Sequence, residues 1–282
     1  GSYGSSTYSS AEYDELKAAR DAGIIFVAAA GNTATDNDTI PDYPAAYALD
    51  NIVAVAATNR SDVLDPDYSN YGSGSVELAA PGTAIYSTYN TSDNGYQLAT
   101  GTSMAAPHVT GALALLKARY PNDTYRQLIN RLLRSTTKLP TLRGKVQTGG
   151  RLNLALALTA TSNLPFNDDF AARAELAGPN IRVRSSNVGA TRETALGEPT
   201  HAGVGSASSS LWWSWTAPSS GQVGFDTNGS DYDTVLAIYT GASLNALTPF
   251  ASNDNAEGVT TSRILTTVTQ GTTYQIAIAG KN

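Results

Sequence analysis

The chain of 282 residues has no cysteine, one methionine and two histidines. Without cysteine there can be no disulfide framework and no thiolate metal site, and nothing marks the redox compartment. No apolar run reaches the roughly 18 residues that a bilayer-spanning helix needs, which sets aside a helical membrane protein. Basic residues are also scarce: 18 Lys and Arg against 24 Asp and Glu leave a net charge of −6. That balance gives no electrostatic footprint for nucleic acid. The shortage of histidine bears most directly on chemistry, because an imidazole base would have to be His108, His201 or a residue outside this chain. The chain starts at Gly1 with neither an initiator methionine nor a signal-like apolar segment, so upstream processing or truncation is expected.

The first half alternates helical and strand patterns. Residues Ala11 to Ala22 place Tyr13, Leu16 and Ala19 on one face, with Ser9 or Ser10 as N-cap and Gly23 as the stop. An unbroken apolar run, Ile24 to Ala30, follows and ends at Gly31-Asn32. Coming straight after an amphipathic helix, such a run reads as a parallel strand buried on both faces. Ile52 to Ala57 repeats the pattern, and Val76 to Ala80 before Pro81-Gly82 is a further candidate. Helices are expected at Met104 to Arg119 and, behind Asn122-Asp123, at Thr124 to Arg134. The fold class of this half is α/β. Between Lys117 and Arg151 nine basic residues accompany one acid, Asp123, which reads as a solvated face, with a ligand-binding stripe as the alternative.

The segment with the sharpest chemical content is Gly101-Thr102-Ser103-Met104-Ala105-Ala106-Pro107-His108. A nucleophilic serine needs an exposed hydroxyl on a rigid support, with backbone N–H donors nearby for the oxyanion that develops in acyl transfer. A helix beginning at Ser103 supplies both. Gly101 permits close approach by a substrate backbone, Ala105 and Ala106 let the first turn pack tightly, and Pro107 falls where few N–H groups have helical partners. By spacing alone, an ordinary N-cap serine is the competing role.

This segment resembles the nucleophile motif of the subtilisin-like serine peptidases, the subtilases, G-T-S-x-A-x-P-H, with every fixed position filled. Five further segments agree in the same order. Ala28 to Asn32 resembles the strand end carrying the oxyanion asparagine, and Tyr43 to Tyr47 the Y-P-A segment. Ser69 to Gly72 matches S-N-Y-G, Ala80 to Gly82 matches A-P-G, and Thr148 to Asn153 the run into the closing helix. The resemblance covers about residues 1–158. It implies that Ser103 is the nucleophile and that the Asn32 side chain donates to the oxyanion beside the Ser103 backbone N–H. Ser2-Tyr3-Gly4 resembles the strand that pairs with substrate and, with Ala29 and Gly31, lines the first specificity pocket. Residues this small suggest a roomy, apolar pocket. The Tyr43-Pro44 bond is cis in the family, whereas trans is ordinary for X-Pro. Polypeptide substrates, a secreted protein and chemistry without a cofactor are implied, with no nucleic acid or membrane partner.

The chain departs from the family in one respect. Neither the D-[ST]-G nor the H-G-T-H segment of the triad occurs. Asp21-Ala22-Gly23 only ends the first helix. At about 100° per residue, His108 lies about 140° around the helix from Ser103 and points away. His201 falls in the second half among turn residues. The base and its carboxylate are therefore expected upstream of Gly1. A chain without them would be nearly inert, the loss of that base in subtilisin itself being on the order of 10⁶ in kcat. The sheet would also lack the strands preceding Ser2 and expose an unpaired edge, which puts folding of the chain alone in question. The competing function is a non-catalytic, subtilase-like scaffold whose second domain does the work.

After residue 158 the text changes. Residues 159–165 read as a linker, and in residues 166–282 Ser, Thr, Gly and Asn accumulate between short strand-like runs: Leu211 to Thr216, Gln222 to Thr227, Thr234 to Tyr239, Arg263 to Val268 and Thr273 to Ala279. An all-β sandwich or jelly roll is expected. Phe166 to Phe170, Gly197 to His201, Leu211 to Pro218 and Gly229 to Thr234 resemble pre-peptidase C-terminal domains. Trp212, on the opposite face from Leu211, Trp213 and Trp215, is a candidate ligand contact or a partly buried residue. Asp231, Asp233 and Asp254 offer oxygens for a structural calcium, or simply cap turns. The ligand of this domain is not legible, and the chain ends at Asn282 shortly after a strand.

Overall fold

The computed structural model describes residues 1–90, 92–205 and 207–281, so Asn282 lies outside the described residues. The chain divides into two units, Gly1–Asn163 together with Asn180–Ser186, and Leu164–Pro179 together with Asn187 onward.

In the first unit, α1 (Ser10–Asp21) begins where the Ser9 side chain accepts a hydrogen bond from the Glu12 N–H at 3.3 Å, and it stops before Gly23, which has φ +76°. Strands β1 (Phe26–Ala29), β2 (Ile52–Thr58) and β3 (Leu78–Pro81) pair in parallel. The hairpin of β4 (Ile85–Thr88) and β5 (Tyr96–Ala99) leads into α2 (Thr102–Arg119). Helix α3 (Tyr125–Arg134) starts in a capping box between Thr124 and Gln127, one residue beyond the expected start at Thr124. Short strands β6 (Thr137–Lys138) and β7 (Gly150–Arg151) and helix α4 (Leu154–Thr159) complete the unit. The sheet order is β1-β2-β3-β7-β6, with only β6 antiparallel to its neighbour.

Every residue of β2 is buried, as expected of a strand covered on both faces. Ala28, Ile52, Ala54, Ala56 and Ala79 join Leu16 of α1 in one core cluster. Alternation sends Val27, Ala29, Val53, Val55 and Ala57 to the opposite face, where α2 packs through buried Ala105, Ala106, Val109, Ala112 and Leu116. The parallel α/β architecture is thus present. The β4–β5 hairpin was invisible to hydrophobic patterning because Tyr86, Tyr96 and Leu98 on it are exposed.

The second unit carries β8 (Ala174–Leu176), β9 (Ala207–Thr216), β10 (Gly221–Asp226), β11 (Thr234–Thr240), β12 (Thr248–Asn253), β13 (Arg263–Val268) and β14 (Thr273–Lys281). Five strands form a sheet in the order β12-β11-β14-β9-β8, antiparallel except for β8–β9, and β10 pairs separately with β13. The run forming β12 escaped notice because its outward residues leave it little apolar alternation.

The structure corrects the expectation for Trp212. It is 0% exposed, packed among Phe170, Ala237, Tyr239, Leu244 and Ala277, and cannot contact a ligand. The reason is that β9 is covered on both faces. Phe170 meets the Trp212 ring edge-on at 5.1 Å, while Phe225 of β10 meets Trp215, on the other side of the strand, at 5.7 Å.

Candidate active site

The hairpin delivers the chain to Gly101, which stands at φ +154° as the N-cap of α2. Helix α2 therefore starts two residues before the expected Met104. Ser103 is its second residue and not its cap, which removes the competing role. An N–H at that position has no partner within the helix and is free to meet an anion. Ser103 is partly exposed, and its hydroxyl donates to the Ser2 carbonyl at 3.3 Å while the Ser2 hydroxyl donates to the Ser103 carbonyl at 3.1 Å.

Asn32 follows Gly31 at the end of β1, and its orientation is fixed by the residue next to the serine. Asn32 Oδ1 accepts from the Thr102 N–H at 2.8 Å and from the Thr102 hydroxyl at 3.1 Å. With its oxygen committed, the amide can offer only Nδ2 outward. Thr102 is itself 0% exposed, and its hydroxyl also accepts from the Gly31 N–H at 3.1 Å. Thr102 is the positioning residue that sequence reasoning missed, although the G-T-S motif contained it. Asn70, 0% exposed, braces the loop after Asn32: its Oδ1 accepts from the N–H groups of Thr33 and Thr35 at 2.8 and 3.2 Å.

Ser2, Tyr3 and Gly4 are exposed and form no regular strand. Gly1 runs beside β1, with the Ala29 N–H donating to its carbonyl at 2.9 Å, and Ser5 forms an antiparallel bridge with Tyr43. The Tyr3 hydroxyl turns toward α1 and donates to Glu12 Oε1 at 2.8 Å. Burial and then this carboxylate push the phenol up to about 12. The Tyr43-Pro44 peptide is cis.

Both histidines are engaged by other groups within their own units. His108 is exposed and its Nδ1 lies 2.9 Å from the Met104 carbonyl. His201 is buried in the second unit, with Nε2 2.9 Å from Glu198 Oε1 and Nδ1 2.8 Å from the Tyr239 hydroxyl. Most of the basic residues between Lys117 and Arg151 are engaged locally and form no stripe. Arg126 pairs with Asp50, Arg131 with Asp123 and Arg151 with Asp62, and Lys145 lies 3.8 Å from the Tyr71 ring centre.

Two of the three candidate calcium aspartates face a side-chain cation. The Lys281 ammonium lies 3.0 Å from Asp254 Oδ2 and 3.9 Å from Asp233 Oδ2, where a cation would sit. Among the described residues no three His, Cys, Asp or Glu side chains gather for a metal, and no helix is long and apolar enough to cross a membrane.

Comparison with known proteins gives a consistent picture. Residues 1–162 match the profile of the Subtilase family, Peptidase_S8. A thermostable alkaline protease from Halalkalibacterium halodurans is 40% identical over 145 residues, 51% of this chain and 38% of that protein. Thermitase from Thermoactinomyces vulgaris is 48% identical over 97 residues, 34% of this chain and 32% of its own length. Among solved structures, a protease from Pseudoalteromonas arctica superposes with a TM-score of 0.50 at 31% identity, covering 57% of this chain and 50% of that one. The chain thus spans well under half the length of these two curated relatives.

Proposed function

The chain belongs to the subtilase family, and from that premise we propose that it carries the nucleophile and oxyanion half of a serine endopeptidase site. Ser103 Oγ attacks the scissile carbonyl carbon, and its proton passes to a histidine supplied, with an orienting aspartate, by sequence preceding Gly1. The carbonyl oxygen becomes an oxyanion held by Asn32 Nδ2 and the Ser103 N–H. Collapse expels the amine and leaves an acyl-enzyme on Ser103, which water then hydrolyses. No cofactor takes part. Ser2 to Gly4, with Ala29 and Gly31, hold the acyl side of the peptide by strand addition.

One observation carries this reading. Asn32 Oδ1 is tied to the Thr102 N–H at 2.8 Å, which anchors the Asn32 amide at the start of α2, one residue before Ser103. The chain by itself is inert for want of its base. We further read the protein as secreted, in line with one relative from Bacillus subtilis that is named a minor extracellular protease. The second unit is read as an all-β sandwich similar to pre-peptidase C-terminal domains, supported by the pairing of its strands and by ring contacts on both faces of β9.

The test is active-site labelling of the full-length protein with a fluorophosphonate. Wild type is expected to label at Ser103 and Ser103→Ala to remain unlabelled. Equal labelling of both, or none of either, favours the non-catalytic scaffold.

A further inference from the structure

Asn32, Thr33 and Ala34 are exposed, so side-chain packing does not fix this stretch of chain. Ala34 nevertheless stands at φ +55°, a left-handed conformation that a residue with a Cβ holds only when its surroundings impose it. The constraint comes from beneath the loop. Asn70 Oδ1 accepts from the Thr33 N–H at 2.8 Å, the Thr33 hydroxyl at 2.9 Å and the Thr35 N–H at 3.2 Å. One buried oxygen therefore grips the backbone on both sides of Ala34. The Asn70 backbone N–H also donates to the Gly31 carbonyl at 3.0 Å, and a Cβ on Gly31 would strike Asn70 Nδ2. Glycine at 31 is what lets the two segments approach this closely.

The other end of the Asn70 amide reaches the strand side of Asn32. Asn70 Nδ2 donates to Asn37 Oδ1 at 3.0 Å, and Asn37 Nδ2 donates to the Ala30 carbonyl at 2.7 Å. Asn70 is 0% exposed and Asn37 2%. Each amide is oriented by its partners, and the bonds run in one sense, from the loop N–H groups through Asn70 and Asn37 to Ala30. Aligned in this way, the amides polarise one another and each bond strengthens the next. The chain before Asn32 and the chain after it are thus held by one buried pair, while the Asn32 side-chain oxygen is held by Thr102.

We infer that Asn70 and Asn37 are positioning residues for the oxyanion donor, fixing the backbone of Asn32 so that its Nδ2 stays where the oxyanion forms. The inference rests on the endopeptidase reading and adds to it two residues that act only through Asn32. Truncating Asn70 would free the Thr33 and Thr35 N–H groups, let Ala34 relax toward an ordinary φ and carry Asn32 with it. A shift of about 1 Å in such a group costs on the order of 100-fold in rate.

The experiment is a double-mutant cycle on the full-length protein, read in kcat and KM on a peptide amide. Asn70→Ala is expected to lower kcat by about 10- to 100-fold with KM within about threefold. In an Asn32→Leu background the same change is expected to cost less than about twofold, because the group through which Asn70 acts is already gone. Asn37→Ala, at the far end of the relay, is expected to show a smaller loss with the same dependence on Asn32, and it carries the cycle should Asn70→Ala fail to fold. Asn70→Asp, which keeps an acceptor for Thr33 and Thr35, is expected to recover most of the kcat. A thermal transition shows that each variant is folded. Equal losses in both Asn32 backgrounds, a rise in KM alone, or a kcat unmoved by either alanine variant overturns the positioning role. A wild-type protein that neither labels with fluorophosphonate nor cleaves the amide overturns the endopeptidase reading and this inference with it.

Discussion

Arg184→Ala should unfold the first unit well before the second. Arg184 lies in the segment Asn180–Ser186, which follows the family match yet packs as part of the first unit. Its guanidinium meets Glu77 at 2.7 and 2.9 Å and donates to the carbonyls of Tyr47 at 2.5 Å, Ala45 at 2.9 Å and Ser75 at 3.3 Å. Glu77 also accepts from the Ala54 N–H at 2.6 Å and is 4% exposed. Deleting the cation leaves a buried carboxylate uncompensated, a loss of about 3–5 kcal/mol. At about 2–4 °C per kcal/mol for a unit of this size, the transition should fall by roughly 6–20 °C.

The pH dependence of this loss can be stated in sign. Burial pushes the Glu77 carboxyl up, with the Arg184 charge and the Ala54 N–H opposing it. A folded-state value above the unfolded one means that stability from this group is full at low pH and declines as pH rises through the folded value. Without Arg184 the rise is larger, so the penalty should grow as pH rises and shrink as pH falls. Differential scanning calorimetry of the full chain reads the first unit. All three tryptophans lie in β9, so their fluorescence gives the second unit as an internal reference. The double variant Glu77→Gln/Arg184→Ala should recover part of the loss and be less sensitive to pH. A transition moved by under about 1 °C, or a double variant no better than Arg184→Ala, would refute the reasoning.

Other expectations are more compact. On the proposed function, Asn32→Leu in the full-length protein should lower kcat by about 10²–10³ with little change in KM, the loss known for such a donor in subtilisin, and steady-state kinetics would show it. Thr102→Val should also lower kcat, because Asn32 Oδ1 loses one of its two anchors. The thermal transition should fall as well, by an amount set by the Gly31 N–H losing the acceptor that the buried Thr102 hydroxyl supplies, about 1–3 kcal/mol. In the second unit His201→Ala should reduce the fluorescence-detected stability by about 2–4 kcal/mol, as it strands buried Glu198 and the Tyr239 hydroxyl. Although burial alone would raise Glu198, hydrogen bonds from His201, Ser210 and the Glu193 N–H hold it below its ordinary value. A lowered folded value means that this contribution exists above the ordinary glutamate range and is lost as pH falls through the folded value. Glu198→Gln should therefore flatten the acid limb of that unit's unfolding curve.

What the linear order of residues could determine was whatever depends on neighbours in sequence. The buried strands at Phe26–Ala29 and Ile52–Thr58 were legible because a short apolar run between helical signals has one economical fate, burial on both faces. Ser103 and Asn32 stood out as candidates through local motifs, and the choice of histidine was confined to two positions by inspection. Tertiary structure decided the rest. Whether Trp212 was a ligand platform or core depended on what covered the second face of β9, and no alternation within one strand can tell. Thr102 became the anchor of Asn32 because a helix start and a strand end 70 residues apart meet. Arg184 acquired a partner in Glu77 from 107 residues away only when the loops closed. A charge buried by folding has no signature in its own neighbourhood, because the desolvation and the partner that give it meaning are both supplied by distant chain.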